Sequence, residues 1–254
     1  VNGRSPDVPP AFEVRTSRAT LPVAHACSIF QIIVMPPHAD LFALSPSAKA
    51  RCEWIGGKVP VILVDDLYVQ PDAVRAFALE LPFTPAATHY PGRIAQMCEQ
   101  NPSCETLLRW ARELATATLL SICPLYANGR SIARFGEVVT DFAIVDVHPS
   151  ALSPKQRIPH VDAVPAFGLI YLNREERGGT LFFDKVRDSE PSATGYYTAS
   201  GASYQLLGRI EPRFNRLAIY PGTVPHSGDI AGEWINGDAR FTSPRLTQRL
   251  LFAP

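Results

Sequence analysis

Residues 158–162 read Ile-Pro-His-Val-Asp, and within them His160 and Asp162 stand two apart. In an extended strand, residues i and i+2 face the same way, so an imidazole nitrogen and a carboxylate oxygen are presented side by side. A second histidine, His226, follows an apolar stretch that ends in Pro221-Gly222 (Ile219-Tyr220-Pro221-Gly222-Thr223-Val224-Pro225-His226). Two histidines and one carboxylate on one face of a metal leave the opposite positions open. This donor set suits non-haem Fe(II) that binds a co-substrate and dioxygen together. Three residues alone are weak grounds, since an isolated histidine is more often a packed or solvated side chain.

Other residues with chemical potential are less sharply placed. His148 stands between Val147 and Pro149, where a structural role or a place at a cavity mouth both fit. Asp65-Asp66 closes an apolar run and reads first as a strand-ending turn. Arg93 and Arg134 are candidates for substrate contact or plain solvated arginines. Trp54, Trp110 and Trp234 read as packing residues, with Trp234 also a candidate lid. No dinucleotide fingerprint, Walker loop, nucleophile elbow or HExxH motif occurs.

The text after the HxD pair adds weight. Leu169-Ile170-Tyr171-Leu172-Asn173, then Gly178-Gly179-Thr180-Leu181-Phe182-Phe183, then Pro221-Gly222 and His226 resemble, in that order, the Fe(II)- and 2-oxoglutarate-dependent dioxygenases of the prolyl-hydroxylase-like branch. The resemblance spans residues 131–254. The earlier segments Val64-Asp65-Asp66, Pro71-Asp72-Ala73-Val74-Arg75 and Tyr90-Pro91-Gly92 are similar to an uncharacterised bacterial family within the same superfamily. The resemblance implies a double-stranded β-helix (jelly-roll) core with iron at its open end, held by His160, Asp162 and His226. It also implies 2-oxoglutarate chelating the metal while an arginine grips its distal carboxylate, the bidentate pairing that a guanidinium favours. Arg245, followed by Leu246 and Thr247, fits that role best; Arg240 and Arg249 compete. Arg245 stands nineteen residues beyond His226, farther than in many relatives, because residues 229–243 lengthen the connection. Tyr171 and Thr247 are implied as hydroxyl partners of the same carboxylate. An aspartate at 162, where halogenating relatives carry a small residue, implies hydroxylation or a related oxidation, with O2 consumed and succinate and CO2 released. The implied substrate is a small molecule or a peptide-derived compound. The contrasting reading is a cupin-like metal or small-molecule binding module without turnover.

The elements that position these residues follow from periodicity. Val59–Val64 is a β-branched apolar run and predicts a strand. Pro71 opens a helix whose apolar positions are Val74, Phe77, Ala78 and Leu81, stopped by Pro82. Ser103 opens a longer helix with Leu107, Leu108, Ala111, Leu114, Ala115 and Leu119 on one stripe, ended by Pro124. After Ser131 the period changes to two. Strands are expected within 134–147 and at 167–172, 180–183, 196–198, 204–207, 216–220 and 246–252. Helices first and short strands after predict an α+β, mainly β, fold with helices packed on one side of a sandwich or barrel. The organisation expected is an irregular segment 1–57, with an apolar patch at Ile29–Met35, and a single domain 58–254, comprising helical support over 70–123 and the jelly-roll core over 131–254. The loops 85–102, 149–157, 184–203 and 229–243 are expected to shape the pocket.

Composition bounds the rest. The 254 residues carry 24 basic and 24 acidic side chains, which cancel. A balanced charge argues against binding nucleic acid by phosphate neutralisation. The longest strongly apolar stretch is too short for the roughly 20 residues of a membrane span, and no secretory signal pattern is visible. Five cysteines (Cys27, Cys52, Cys98, Cys104, Cys123) without CxxC spacing read as reduced thiols, hence a cytoplasmic protein.

Overall fold

A computed structural model describes residues 40–86, 90–97, 102–187, 196–230 and 245–254. In chain order the elements are β1 (Lys49–Ile55), β2 (Val59–Asp65), α1 (Pro71–Glu80), β3 (Thr84–Pro85), β4 (Arg93–Gln96), α2 (Pro102–Ile122), β5 (Tyr126–Ala127), β6 (Arg130–Ser131), β7 (Val138–Val145), α3 (Pro154–Arg157), β8 (Ala166–Tyr171), β9 (Thr180–Lys185), β10 (Tyr204–Ile210), β11 (Arg216–Pro221), β12 (His226–Gly228) and β13 (Arg245–Phe252).

Eight strands form one antiparallel sheet in the order β1-β2-β11-β8-β13-β7-β4-β3, and a smaller sheet runs β10-β9-β12. A bridge between His160 and His226 extends the small sheet by one more segment. From β7 onward the chain passes back and forth between the two sheets, with β9 and β10 a consecutive pair in the small one. β7, β8, β11 and β13 enter the large one; the His160 segment, β9, β10 and β12 enter the small one. This is a double-stranded β-helix, the jelly roll expected.

Period-two alternation sorts each strand of the large sheet. Inward residues Val61, Leu63, Phe167, Leu169, Tyr171, Ala218 and Tyr220 pack in the core between the sheets, with Phe182 and Ile210 from the small one. Outward residues Ile62, Val64, Phe142, Ile144, Ile170, Leu217, Ile219 and Leu250 bury against the helices. Those helices present the stripes read from sequence: Val74 and Ala78 of α1, and Leu107, Ala111, Ala115 and Leu119 of α2, are buried. Each valine or leucine among them withdrawn from water is worth ~1.5–3 kcal/mol. The helices therefore brace one face of the large sheet and leave the other to line the site.

Three expectations are corrected. The segment expected to stay irregular to residue 57 contains β1, paired along its whole length with β2. Its side chains are exposed on both faces, so it carries no alternation to betray it; its Trp54 is 52% exposed rather than packed. Residues 196–198 form no strand although Tyr and Thr favour one: no strand among the described residues pairs with them. Conversely His226-Ser227-Gly228, with little strand propensity, is β12 because Phe182, Leu181 and Thr180 pair with it. The apolar patch Ile29–Met35, Trp234, Cys27 and Cys98 lie outside the described residues. Among the described residues no helix is long and apolar enough to cross a membrane.

Candidate metal centre and adjoining cavities

His160 and His226 face each other as a hydrogen-bonded antiparallel pair, with reciprocal N–H···O bonds of 2.9 and 2.8 Å. Both rings consequently project from one face, their centroids 4.5 Å apart. Asp162 is brought beside them by a close approach of two loops. Its N–H donates to the Gly222 carbonyl at 2.8 Å, and the Gly222 N–H donates to the Pro165 carbonyl at 3.0 Å. A Cβ on Gly222 would lie 2.3 Å from the Val164 carbonyl oxygen and 3.2 Å from the Asp162 Cβ. The Pro-Gly of the motif thus provides the gap into which the Asp162 loop fits.

The ligand-capable atoms of His160, Asp162 and His226 all lie within 4.8 Å of one another. His226 is buried at 4% exposure, and its ring is fixed by Nδ1, which donates to the Val224 carbonyl at 2.8 Å. That bond leaves Nε2 pointing at Asp162 Oδ2, 3.3 Å away. This oxygen is buried and receives no hydrogen bond from any described residue. Two electron pairs facing each other at that distance require a cation between them, either a proton on Nε2 or a metal ion; orientation of a ligating imidazole through its other nitrogen is the usual outer-shell device. The His160 ring is 4.0 Å from Asp162 and half-exposed. The surrounding protein, and then the His226 ring, push its pKa down against the pull of Asp162, which favours the neutral, ligating form.

Two cavities meet at this trio. The inner one, about 60 Å³, runs between the sheets past Thr180, Tyr220, His226, Arg245 and Thr247. The outer one, about 410 Å³, opens over His160 and Asp162 between Tyr90, Ile94, Lys155, Tyr196 and Leu251. The loops expected to shape the pocket thus supply Tyr90 and Ile94, Lys155, Tyr196 and, to the inner cavity, Ile230.

The structure separates the candidate arginines. Arg249 is committed to Asp141, with Nε and Nη2 donating to the two carboxylate oxygens at 2.6 and 2.5 Å, and lies under the Tyr90 ring. Arg240 lies outside the described residues. Arg245, at 5% exposure, reaches no carboxylate among the described residues. Its Nε donates to the Gly178 carbonyl at 2.6 Å and its Nη2 to Thr180 Oγ1 at 3.3 Å. Gly178 has φ +77°, a conformation glycine adopts freely, and this local turn aims its carbonyl at the guanidinium. Thr247 is fully buried on the same inward face, two residues along β13. Tyr171 is adjacent but does not line either cavity; its hydroxyl is 2.7 Å from Thr180 Oγ1.

The remaining candidates have structural occupations. Asp65 pairs with Arg216 and Arg51, Arg93 with Asp146, and His148 Nδ1 with Ser150 in a turn. Arg134 lines a separate surface hollow with Arg112 and Glu113. Trp110 packs against the helix-side core. Four residues of the site, Thr180, Tyr220, Tyr90 and Asp141, were not anticipated. Alternation along β11 places Tyr220 inward and was legible; Tyr90, seventy residues upstream of His160, lies in the loop 85–102 expected to shape the pocket, but its own role there was not assigned.

Fold and site together define a double-stranded β-helix protein with a His-Asp-His group, set where two cavities meet, that fits a metal ion. Residues 46–191 and 184–252 match the family described as "Family of unknown function (DUF6445)", and the chain belongs to that family. No curated protein matches it. Similar solved structures include a Pseudomonas putida prolyl-4-hydroxylase, 20% identical over 72% of this chain and 86% of that one, with TM-score 0.40. A Trichoplax adhaerens prolyl hydroxylase in complex with a hypoxia-inducible-factor peptide fragment is 14% identical over 76% and 83%, with TM-score 0.43. An N-substituted L-amino acid dioxygenase from Burkholderia ambifaria is 12% identical over 76% and 81%, with TM-score 0.33.

Proposed function

We propose that this protein is an Fe(II)- and 2-oxoglutarate-dependent dioxygenase, with His160, Asp162 and His226 as metal ligands and Arg245 as the anchor of the co-substrate's distal carboxylate. The observation that carries the reading is the buried Arg245 guanidinium, without a carboxylate among the described residues, in the same cavity as His160 and His226. A desolvated cation held by one carbonyl and one hydroxyl is poised for an anion. Bound there, iron with 2-oxoglutarate and dioxygen supplies oxidation of an unactivated C–H bond, with succinate and CO2 as co-products.

The chain's own part is positioning. Val224 fixes the His226 tautomer, the Gly222 loop holds Asp162, and the Gly178 carbonyl and Thr180 fix Arg245. Phe167, Phe182 and Tyr220 pack around the His226 ring and keep that side dry. The substrate's place is the outer cavity, whose size and apolar walls suit a small molecule or a peptide-derived side chain.

The test is succinate formation from 2-oxoglutarate by the Fe(II)-loaded protein under air, with and without candidate substrates, alongside direct metal titration. Turnover that is lost in His160→Ala, together with tight metal binding, supports the reading. Metal binding without any affinity for 2-oxoglutarate would instead indicate a binding module, and metal content indifferent to His160→Ala would remove the metal site altogether.

A further inference from the structure

Two hydroxyls in the inner cavity, Tyr220 Oη and Thr247 Oγ1, are buried and have no hydrogen-bond partner among the described residues. Both side chains are fully buried and line the cavity with Arg245. An unmade hydrogen bond in a dry site is costly, so such groups point to a partner that arrives from outside. Thr247 belongs to the set implied by the sequence resemblance; Tyr220 does not.

Tyr220 cannot turn away to water. Its ring stands edge-on to Phe182, with centroids 5.0 Å apart and planes at 83°, and to His226 at 5.1 Å and 70°. Tyr220 shares the lining of the inner cavity with His160 and His226 on one hand and the buried Arg245 on the other. Tyr171, by contrast, has its hydroxyl engaged by Thr180 and no surface in the cavity.

We propose that Tyr220 is a co-substrate-binding residue: its hydroxyl, with that of Thr247, hydrogen-bonds the carboxylate and keto oxygens of a short 2-oxo dicarboxylate whose far end pairs with Arg245. The inference rests on the dioxygenase reading above and adds to it the phenol that contacts the ligand.

The experiment uses the protein loaded with Mn(II), titrated calorimetrically with 2-oxoglutarate, in wild type, Tyr220→Phe and Tyr171→Phe. The apo melting temperature and Mn(II) affinity are measured for each. Tyr220→Phe is expected to weaken 2-oxoglutarate about tenfold, the size of one hydrogen bond to a charged group. It is also expected to leave Mn(II) affinity unchanged and the apo melting temperature equal or higher, because no intramolecular bond is lost. Unchanged 2-oxoglutarate affinity, a lowered apo melting temperature, or a larger loss in Tyr171→Phe than in Tyr220→Phe would each overturn it. Wild-type protein that binds Mn(II) but no 2-oxoglutarate would overturn the underlying reading, a result seen before any variant is compared.

Discussion

Replacing Arg245 with methionine separates an arginine that awaits an anion from one that holds the fold. The side chain makes two hydrogen bonds, to the Gly178 carbonyl at 2.6 Å and to Thr180 Oγ1 at 3.3 Å. Donated by a charged group, each contributes ~1.5–3 kcal/mol net. Against them stands the desolvation of a guanidinium at 5% exposure with no carboxylate beside it among the described residues, which costs several kcal/mol. Methionine has similar length and no charge, so the apo protein is expected to change by less than ~2 kcal/mol, and in either direction. Arg249 is the internal control: Arg249→Met strands the buried carboxylate of Asp141, which it holds by two bonds of 2.6 and 2.5 Å, and is expected to cost ~3–5 kcal/mol. The 2-oxoglutarate affinity of Arg245→Met should fall by ~30-fold or more, since loss of one partner of a desolvated charge pair is worth at least ~2 kcal/mol. Urea unfolding measures the first quantity and calorimetric titration of the Mn(II)-loaded protein the second. An Arg245→Met protein that loses ~3–5 kcal/mol of stability yet binds 2-oxoglutarate like wild type would refute the reasoning.

Two further outcomes follow from the structure. Gly222→Ala places a methyl 2.3 Å from the Val164 carbonyl oxygen and must displace the loop bearing Asp162, so Mn(II) affinity should fall ~10-fold or more while secondary structure by circular dichroism is retained; an unaltered metal titration would contradict the role given to this glycine. Asp65 is partly buried, which raises its pKa, but hydrogen bonds and charges from Arg216 and Arg51 outweigh this and hold it below the usual carboxylate range. Its contribution to stability is therefore present above the ordinary carboxylate pKa and lost as pH falls through the lowered one. Asp65→Asn should be ~1–2 kcal/mol less stable than wild type at pH 6, with the gap shrinking as pH falls below about 4; a gap undiminished at pH 3 would show that the loss is not ionic.

Of the His160, Asp162 and His226 group, the first two were legible because their spacing is local, two residues apart; His226, distant in the chain, was joined to them by the resemblance and by the Pro-Gly turn before it. The helix stripes and most strands were legible for the same reason, each being a short-range period. What was hidden depends on pairing. β1 is exposed on both faces and exists through its ladder with β2; β12 is a strand because β9 lies beside it. Distinguishing Arg249 from Arg245 needed the register of β13 against β7, which sets Arg249 opposite Asp141 and Arg245 opposite Val145. The resemblance directed attention to Tyr171, whereas the unpaired hydroxyl belongs to Tyr220, a distinction only side-chain partners reveal.

His160 and His226 hang from the small sheet, whereas Arg245 belongs to the large one. A dicarboxylate held at one end by the metal and at the other by this guanidinium would rivet the two leaves of the sandwich together. Its length would then act as a ruler for their separation: one methylene fewer would leave a gap, and one more would force the leaves apart.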